Sequence, residues 1–428
     1  MSTDKKVLVI VYDFPPYSGG GAALRTVKFV RYLPEFGWSP KVLTAKKPDS
    51  LLADQTLLDQ IPRTPLYQIK DLYYSLFKDI QDPNITKKPM LRLCKKIIRR
   101  ACHIIKGFCD KYLFIPDTHL LWLFPAFFKG LLLIKKDNIE VIYSTSPPHT
   151  PHILGYLLSK ATGIKTVVDF RDGWSENPYY SSMSGFRLKL EKKMESLVVN
   201  NASAVITTSP ALTKSLQSRY GKELKAKTIY NGYDEADFTG FEYLEPVDKH
   251  LFTLSYVGSL DGKRIVNNFL NAFSQLKDKN LRLKFVGHLS HLNKTLIAES
   301  NEDIVVMGKV SHHKAVQEML AADILISFLF PDEDGNRAIP GKIFEYLRAG
   351  KPILAIAPKN GEFARFISSN DLGEVADPFD ESEIQDKIQL LFYKWYNGQL
   401  DQPSDNFVSN FSRKQLTKKL AAIFDDLI

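Results

Sequence analysis

The sequence predicts an α/β protein built from two doubly wound, Rossmann-like domains. Short runs rich in Val, Ile and Leu alternate with longer amphipathic stretches, and both halves of the chain show this alternation. The runs have few polar interruptions, which is typical of parallel strands that are covered on both faces. The clearest runs lie at residues 7–12, 41–44, 140–145, 165–170, 203–209, 251–258, 281–287, 303–308, 323–330 and 351–357.

The domain boundary is predicted where the pattern is weakest. A chain of 428 residues suits two or three domains, and residues 236–250 show little periodicity. The predicted divisions are an N-terminal domain over 1–238, a C-terminal domain over 250–405 and a terminal helix over 406–428.

The overall composition indicates a cytoplasmic globular protein. Hydrophobic residues make up 44% and charged residues 25% of the chain. We expect neither a signal peptide nor a membrane-spanning helix, because every apolar stretch is short or interrupted. The three cysteines form no CxxC pair, so a disulfide framework or a metal site is not expected from them.

The positive charge is concentrated in the first half of the chain. Residues 1–235 carry 35 Lys and Arg against 21 Asp and Glu, whereas residues 236–428 carry 22 against 27. Within the first half, residues 87–111 hold nine basic residues and a single Asp, interleaved with Leu and Ile. This segment is either a surface helix that packs on its own domain or a helix at an anionic membrane surface, and the surrounding charge favours the membrane. Nucleic acid is not expected as a partner, because no recognised binding motif accompanies the charge.

The first candidate site is the stretch FPPYSGGGAALR, residues 14–25. Gly19, Gly20 and Gly21 lie between a predicted strand and a predicted helix, where backbone N–H groups and the helix dipole favour a phosphate. The stretch is neither GxGxxG nor a P-loop. A plain strand-to-helix turn is therefore an equally good interpretation of the local sequence.

The second candidate site is PGKIFEYLRAGKPILAIA, residues 340–357. Lys342 and Glu345 are three residues apart and would share one face of a helix that starts at the carboxyl end of a strand. Lys342 would neutralise a phosphate, and Glu345 would accept hydrogen bonds from ribose hydroxyls. The alternative is an ordinary exposed ion pair.

Five motifs together resemble a known family. FPPYSGGGAALR, VDFRDGW, IYNGYD, YVGSLDGKR and PGKIFEYLRAGKPILA occur in the order and spacing of a GT-B glycosyltransferase of the GT4 type. Within that family the chain is most similar to the subgroup that builds bacterial surface polysaccharides such as lipopolysaccharide O-antigen, capsule or exopolysaccharide.

The resemblance implies an architecture and a reaction. Two Rossmann-like domains would face each other across a cleft, with the C-terminal helix crossing back to the N-terminal domain. A sugar would move with retention of configuration from a nucleotide sugar, such as a UDP- or GDP-sugar, to a lipid-linked or other saccharide acceptor. No metal and no cofactor would be required. The enzyme would act at the inner face of the cytoplasmic membrane.

The resemblance also assigns the donor-binding residues, all of which follow motif positions. They are Gly19, Gly20, Gly21, Gly258, Lys263, Arg264, Lys309, Val310, Arg337, Lys342 and Glu345. Two positions depart from the family pattern. Ser259 stands where many relatives have an Arg, and Arg337 stands where the first Glu of the E-x7-E motif would fall.

The remaining candidates belong to the N-terminal half. Arg171 and Asp172 of VDFRDGW occupy the region where many relatives place a His near the sugar, so they are predicted catalytic residues together with Glu345. The alternative is a structural ion-pair cluster with Asp169. For acceptor contact the candidates are His149, His119 and Arg25.

Two other interpretations remain open. Asp332, Glu333 and Asp334 resemble the metal-binding DxD of another glycosyltransferase architecture, but a solvated loop is expected here. A nucleotide-sugar epimerase on the same GT-B architecture is the alternative function, and it would need acid and base groups at the sugar ring.

Overall fold

The structure is a computed structural model. It describes the chain apart from residues 1–4, 17–20, 47–54, 62, 74–106, 108, 111, 177–184, 242–249, 261–265, 277–279, 301–303 and 330–332. The predicted membrane segment 87–111 therefore lies almost wholly outside the described residues, as do Gly19, Gly20, Lys263 and Arg264. The chain divides into two compact units. The first unit comprises Met1–Thr208, Leu212–Ile229 and Thr417–Ile428, and the second comprises Ser209–Ala211 and Tyr230–Leu416.

The first unit is built on a parallel sheet in which the described residues form seven strands. The strands are β1 (Lys5–Ile10), β2 (Trp38–Lys46), β3 (Leu66–Lys70), β4 (Val141–Ser146), β5 (Lys165–Phe170), β6 (Ala204–Thr207) and β7 (Ala226–Thr228). Their order is β3-β2-β1-β4-β5-β6-β7, and the β1–β4 register pairs Val7 with Val141. Because the order reverses between β1 and β4, the carboxyl ends of these two strands form a topological switch point.

Helices cover this sheet, and their apolar faces complete its core. They are α1 (Gly21–Tyr32), α2 (Gln55–Leu58), α3 (Leu123–Asp137), α4 (Thr150–Thr162), α5 (Gly185–Asn201) and α6 (Pro210–Tyr220), with 3-10 helices at Leu33–Phe36 and Leu120–Trp122. One buried cluster joins Ile10 and Ile142 of the strands to Leu133 of α3 and Leu154 of α4. Gly21 is the first residue of α1.

The second unit repeats the plan with six described parallel strands. They are β8 (Phe252–Val257), β9 (Leu281–Val286), β10 (Ile304–Gly308), β11 (Ile324–Phe328), β12 (Ile353–Ile356) and β13 (Gly373–Ala376), in the order β10-β9-β8-β11-β12-β13. Every residue of β8, β11 and β12 is buried, as expected for central parallel strands. The predicted fold class of two parallel-sheet α/β units is confirmed.

The helices of the second half complete the architecture. They are α7 (Asn267–Ser274), α8 (His291–Glu299), α9 (His312–Ala321), α10 (Glu333–Arg337), α11 (Ile343–Arg348), α12 (Glu362–Ser368), α13 (Glu381–Tyr396), α14 (Asp405–Ser409) and α15 (Arg413–Asp425), with a 3-10 helix at Glu235–Phe238. From Thr417 onward α15 belongs to the first unit. There the Phe424 ring packs edge-on against Trp38, and Asp425 accepts a hydrogen bond from the Trp38 indole at 3.0 Å.

In the part of the chain that the structure covers, no helix has the length and apolar character needed to cross a membrane.

Candidate functional site

The strand order of the second sheet reverses between β8 and β11, and this switch point positions α11. Open α/β sheets bind ligands at such points, outside the carboxyl ends of the strands. The buried hydroxyl of Tyr346, on α11, accepts a hydrogen bond from the Val257 N–H at 3.0 Å. The same hydroxyl lies 2.9 Å from the Val257 carbonyl oxygen and 3.3 Å from that of Ile326. Helix α11 is therefore fixed to both strands that flank the switch point.

Lys342 immediately precedes α11 and reaches the end of β8. Its buried ammonium lies 3.4 Å from the centroid of the Tyr256 ring, so it makes a cation–π contact. A Cβ atom added to Gly258 would lie 3.5 Å from the Lys342 Nζ. The structure thus brings together two predicted donor-binding residues, Gly258 and Lys342, that are distant in sequence.

Glycines at the carboxyl ends of β8, β9 and β10 let the backbones of these three strand ends approach closely. Gly258 has a φ of +139° and Gly287 a φ of +129°, and a Cβ on Gly287 would lie only 2.2 Å from the Gly258 carbonyl oxygen. The Gly287 N–H donates to the Gly308 carbonyl at 2.7 Å. Close backbone approach requires glycine here. Sequence reasoning missed Gly287, although the repeated Val-Gly ending of two strands was a signal for it.

Glu345 lies beside the loop that follows β10. Its Oε1 is 3.1 Å from Nε2 of His312, the first residue of α9. The predicted residues Lys309 and Val310 come just before Ser311, the N-cap of this helix. The Lys342 ammonium is buried against the Tyr256 ring, so the alternative of an exposed ion pair does not describe these two residues. His312 was not identified from the sequence, because no motif marks a His at the start of this helix.

Arg337 ends helix α10. Its carbonyl oxygen accepts a hydrogen bond from the Ser209 hydroxyl at 2.9 Å. A Cβ added to Gly361, after β12, would lie 3.4 Å from the Asn336 Cα, so this part of α10 lies against the carboxyl end of the sheet.

Arg171 and Asp172 follow β5 in the first unit. The Arg171 Nε donates to the Ser146 carbonyl at 2.9 Å, and a terminal nitrogen donates to the Pro147 carbonyl. Burial lowers the pKa of this guanidinium, and the Asp172 charge opposes that effect. Asp172 reaches solvent, yet desolvation by the surrounding protein raises the pKa of its carboxyl against the influence of Arg171. The pair places one cation and one acid at the carboxyl edge of the sheet.

Arg25 is enclosed by protein, which corrects the prediction that it faces an acceptor. Its side chain is 0% exposed, and its guanidinium donates to both carboxylate oxygens of Asp169 at 3.0 and 3.1 Å. It also donates to the Ile229 carbonyl at 2.9 Å. Burial lowers the pKa of this guanidinium, whereas the charge and hydrogen bonds of Asp169 raise it. The effect of its partners is the larger one, so the net pKa shift is upward. Asp169 is therefore the counterion of Arg25, and its charge also acts on the nearby Arg171 guanidinium.

His149 is also buried, so its predicted contact with an acceptor is corrected. Its ring stacks on Trp174 with centroids 4.6 Å apart and planes at 3°. Burial lowers the pKa of His149 to about 3, and the nearby His152 and Arg171 act in the same direction. The ring is neutral at physiological pH and completes the packing under the start of α4.

Asp117 explains why α4 begins where it does. Its Oδ2 accepts the backbone N–H groups of His149 and Thr150 at 2.8 and 2.9 Å, and its Oδ1 accepts the Thr150 hydroxyl at 2.7 Å. A carboxylate at a helix N-terminus satisfies free N–H groups and complements the helix dipole. Asp117 lies far from α4 in sequence, so no local capping signal revealed it.

His119 lies at the carboxyl edge of the first sheet and is partly exposed. Its Nδ1 is 3.1 Å from Oδ2 of the buried Asp71, which follows β3. The Tyr12 hydroxyl, after β1, donates to the same oxygen at 2.6 Å, and the His119 ring stacks on Tyr12 at 3.7 Å. Among the three acceptor candidates, His119 alone keeps a partly exposed side chain. Asp71 and Tyr12 were not identified from the sequence.

Within the described residues, no group of three His, Cys, Asp or Glu side chains could hold a metal ion. Asp332 of the DED stretch lies outside them, and the structure describes only the backbone of Glu333 and Asp334.

Two family models match the chain. The model described as Glycosyltransferase Family 4 matches residues 107–237, and the model described as Glycosyl transferases group 1 matches residues 252–393. The matches fall on the predicted acceptor and donor halves respectively. No curated protein matches the chain by sequence.

Solved structures share the fold over the whole chain. HepE of Anabaena in complex with UDP is 16% identical with a TM-score of 0.65, and 99% of this chain and 100% of that one are covered. Sucrose-phosphate synthase from Thermosynechococcus elongatus is 17% identical with a TM-score of 0.62, and 99% of each chain is covered. The lipopolysaccharide outer core galactosyltransferase WaaB is 13% identical with a TM-score of 0.59, and 99% and 100% are covered.

Proposed function

Because the chain belongs to the GT4-type glycosyltransferases of the GT-B fold, we propose that it moves a sugar from a nucleotide-sugar donor to a lipid-linked saccharide acceptor. We place the reaction in the synthesis of a bacterial surface polysaccharide such as lipopolysaccharide or capsule. Transfer would retain the anomeric configuration. A UDP- or GDP-sugar would be the co-substrate, with no metal and no further cofactor.

The observation that carries the donor assignment is the meeting of Lys342 and Gly258 at the switch point of the second sheet. A diphosphate placed there would meet an ammonium at one side and a backbone without a Cβ at the other. Glu345 lies about one helical turn further along α11 than Lys342. Its carboxylate would accept ribose hydroxyls, and the loop at Lys309 and Val310 would border the base. The Anabaena HepE structures, which share the fold, hold UDP, UDP with glucose, or UDP-glucose.

The reaction breaks the bond between the sugar C1 and the diphosphate oxygen and forms a bond between C1 and an acceptor hydroxyl oxygen. Negative charge grows on the departing diphosphate as the bond lengthens. A fixed cation next to it stabilises that charge, which is the largest catalytic effect that this site can supply. Lys342 would provide it, together with Lys263 and Arg264 of the same unit.

The first unit would bind the acceptor. Arg171 and Asp172 at the carboxyl edge of its sheet would face the reacting centre, with Asp172 suited to interact with a hydroxyl proton because its pKa is raised. The excess of basic residues in 1–235 would attract the diphosphate of a lipid-linked acceptor and an anionic membrane surface, by about 1 kcal/mol for each basic residue near that surface.

The experiment is a thermal-shift screen of nucleotide sugars on the full chain, followed by transfer assays with the donor that stabilises it. Bound donor raises the melting temperature according to its affinity. Lys342→Ala and Glu345→Ala should both lose the shift and the transfer, whereas Lys294→Ala, an exposed lysine of α8, should keep them. Full activity in both site variants would show that the donor binds elsewhere. An epimer formed from donor alone would instead establish the epimerase.

A further inference from the structure

Helix α3 is apolar on the side that faces solvent as well as on the side that faces the core. Ala126, Leu133 and Ile134 are buried in the first unit. On the opposite side, Phe124, Phe128 and Leu132 are 60%, 65% and 65% exposed. Large apolar side chains scattered singly on a surface are ordinary, but three on one helix face form an apolar patch of the kind that marks an interaction surface.

The spacing places these side chains on one line. They recur every four residues, so they form a ridge along the helix about 12 Å long. The exposed Lys135 and Lys136 follow Leu132 at the next turn and continue the ridge. The acidic residue of α3, Asp137, acts on Tyr67 of β3: burial raises the pKa of the Tyr67 phenol, and the Asp137 charge raises it further. We call the five residues Phe124, Phe128, Leu132, Lys135 and Lys136 the α3 ridge.

We propose that the α3 ridge docks on an anionic phospholipid bilayer. The helix would lie in the plane of the membrane surface with Phe124, Phe128 and Leu132 in the boundary between headgroups and acyl chains. An apolar face with lysines beside it is the pattern of an interfacial helix, because the lysine stems lie along the apolar region while their charges reach lipid phosphates. This surface lies outside the segment 87–111 that the charge pattern singled out.

Charge favours a bilayer over a second copy of the chain. The half of the sequence that carries the ridge has 35 basic against 21 acidic residues. Two copies that met through the ridge would bring like charges together, including Lys135 and Lys136 of each. An anionic membrane offers the opposite charge over a wide area, so electrostatic attraction and burial of the apolar ridge act in the same direction.

Docking on a membrane deepens the proposed function, because a lipid-linked acceptor resides in the membrane. The biological purpose of the docking rests on that proposed function. Binding to vesicles that contain no acceptor does not depend on that function. The two proposals can therefore fail separately.

The test is flotation of the full-length protein with vesicles of equal parts phosphatidylethanolamine and phosphatidylglycerol, compared with vesicles of phosphatidylcholine alone. The ridge variant replaces Phe124, Phe128 and Leu132 by Ser. The control variant replaces Phe379, Tyr393 and Tyr396 by Ser, which are 62%, 63% and 77% exposed in the second unit. Both sets are on the surface, and unchanged melting temperatures would show that the folds are intact.

We expect the ridge variant to partition to anionic vesicles at least about tenfold more weakly than the natural chain, while the control variant partitions normally. Lys135→Gln with Lys136→Gln should weaken binding to anionic vesicles only. Transfer to a water-soluble acceptor should be unchanged in the ridge variant. If that transfer is absent from the natural chain but the vesicle results hold, the transferase proposal fails and the ridge proposal stands.

Three results would overturn the ridge proposal. One is a ridge variant that binds anionic vesicles as well as the natural chain. Another is loss of binding only when Lys95, Lys96, Arg99 and Arg100 are replaced by Gln, which would assign the membrane to the segment 87–111. The third is a natural chain that binds no vesicles but forms a dimer in sedimentation experiments that the ridge variant does not form.

Discussion

The ammonium of Lys342 lies 3.4 Å from the centroid of the Tyr256 ring, where β8 ends at the switch point of the second sheet. Strand and helix meet through this contact, because Tyr256 belongs to β8 and Lys342 immediately precedes α11. The ring face attracts the ammonium and limits its movement. The lysine charge is thereby held next to Gly258 before any ligand arrives.

Removing the ring face from Tyr256 should weaken donor binding. We expect Tyr256→Leu to raise the donor dissociation constant roughly threefold to thirtyfold, which corresponds to a cation–π contact of about 0.5–2 kcal/mol. Tyr256→Phe is the matched control, since it keeps the ring and loses only the hydroxyl that donates to the Ser259 carbonyl. Titration calorimetry would measure both. Equal donor affinities for the two variants would contradict a role of the ring in holding Lys342.

The buried pair of Arg25 and Asp169 should be important for stability. Asp169→Asn would leave the Arg25 charge in the interior without its counterion, and breaking such a pair costs about 3–5 kcal/mol. The exposed pair of Lys227 and Asp426 is the control, and Asp426→Asn should cost less than about 1 kcal/mol. Urea unfolding of the first unit, followed by tryptophan fluorescence, would compare them. Similar unfolding midpoints for the two variants would show that the buried pair is not stabilising.

The strands that the sequence revealed all contain buried residues, with the exception of the edge strand β10, in which no residue is buried. β8, β11 and β12 are covered on both faces, so their sequences are largely apolar. The three strands that the pattern missed, β3, β7 and β13, lie at or near the edges of their sheets and are partly exposed. A half-covered strand of three to five residues contains too few apolar positions to differ from a loop.

The residues of the candidate site also fall into those that could be predicted from the sequence and those that could not. Lys342 and Glu345 could be predicted because a strand–turn–helix sequence fixes where such residues stand, and Gly258 followed from the resemblance to the family. The burial of Arg25 could not, since its partner Asp169 is 144 residues away and no local pattern joins them. His149 was predicted to contact an acceptor, and its burial could not be foreseen, because Trp174, which stacks on it, comes from the loop after another strand.

Acid should destabilise the first unit through His149 and His152. Burial lowers the pKa of each to about 3 from an ordinary value near 6.5, so the unfolded chain binds protons that the folded chain does not. Their contribution is complete above pH 6.5 and is lost as the pH falls from 6.5 toward 3, by at most about 1.4 kcal/mol per pH unit for each histidine.

The measurement is the urea midpoint of unfolding between pH 7.5 and 5 for the natural chain and for His152→Gln. The variant should lose part of the pH dependence of its stability. Because His152 is hydrogen-bonded to Ser144 in the natural chain, the variant should also be somewhat less stable at every pH. His291→Gln replaces an exposed histidine and should leave the slope as it is. A slope that is identical in all three proteins would rule out the buried histidines as its source.

His119 should contribute to acceptor binding and not to donor binding. Asp71 holds its Nδ1, and the Tyr12 ring fixes its plane, so the imidazole is presented at the carboxyl edge of the first sheet in one orientation. We expect His119→Ala to raise the acceptor KM about fivefold to tenfold, the effect of losing one oriented hydrogen bond of about 1–1.5 kcal/mol. The donor dissociation constant should stay unchanged, because we propose that the donor binds to the second unit. His291→Ala is the control for loss of an exposed histidine. Steady-state kinetics at saturating donor would separate the two effects, and a change in donor affinity with constant acceptor KM would assign His119 to the other substrate.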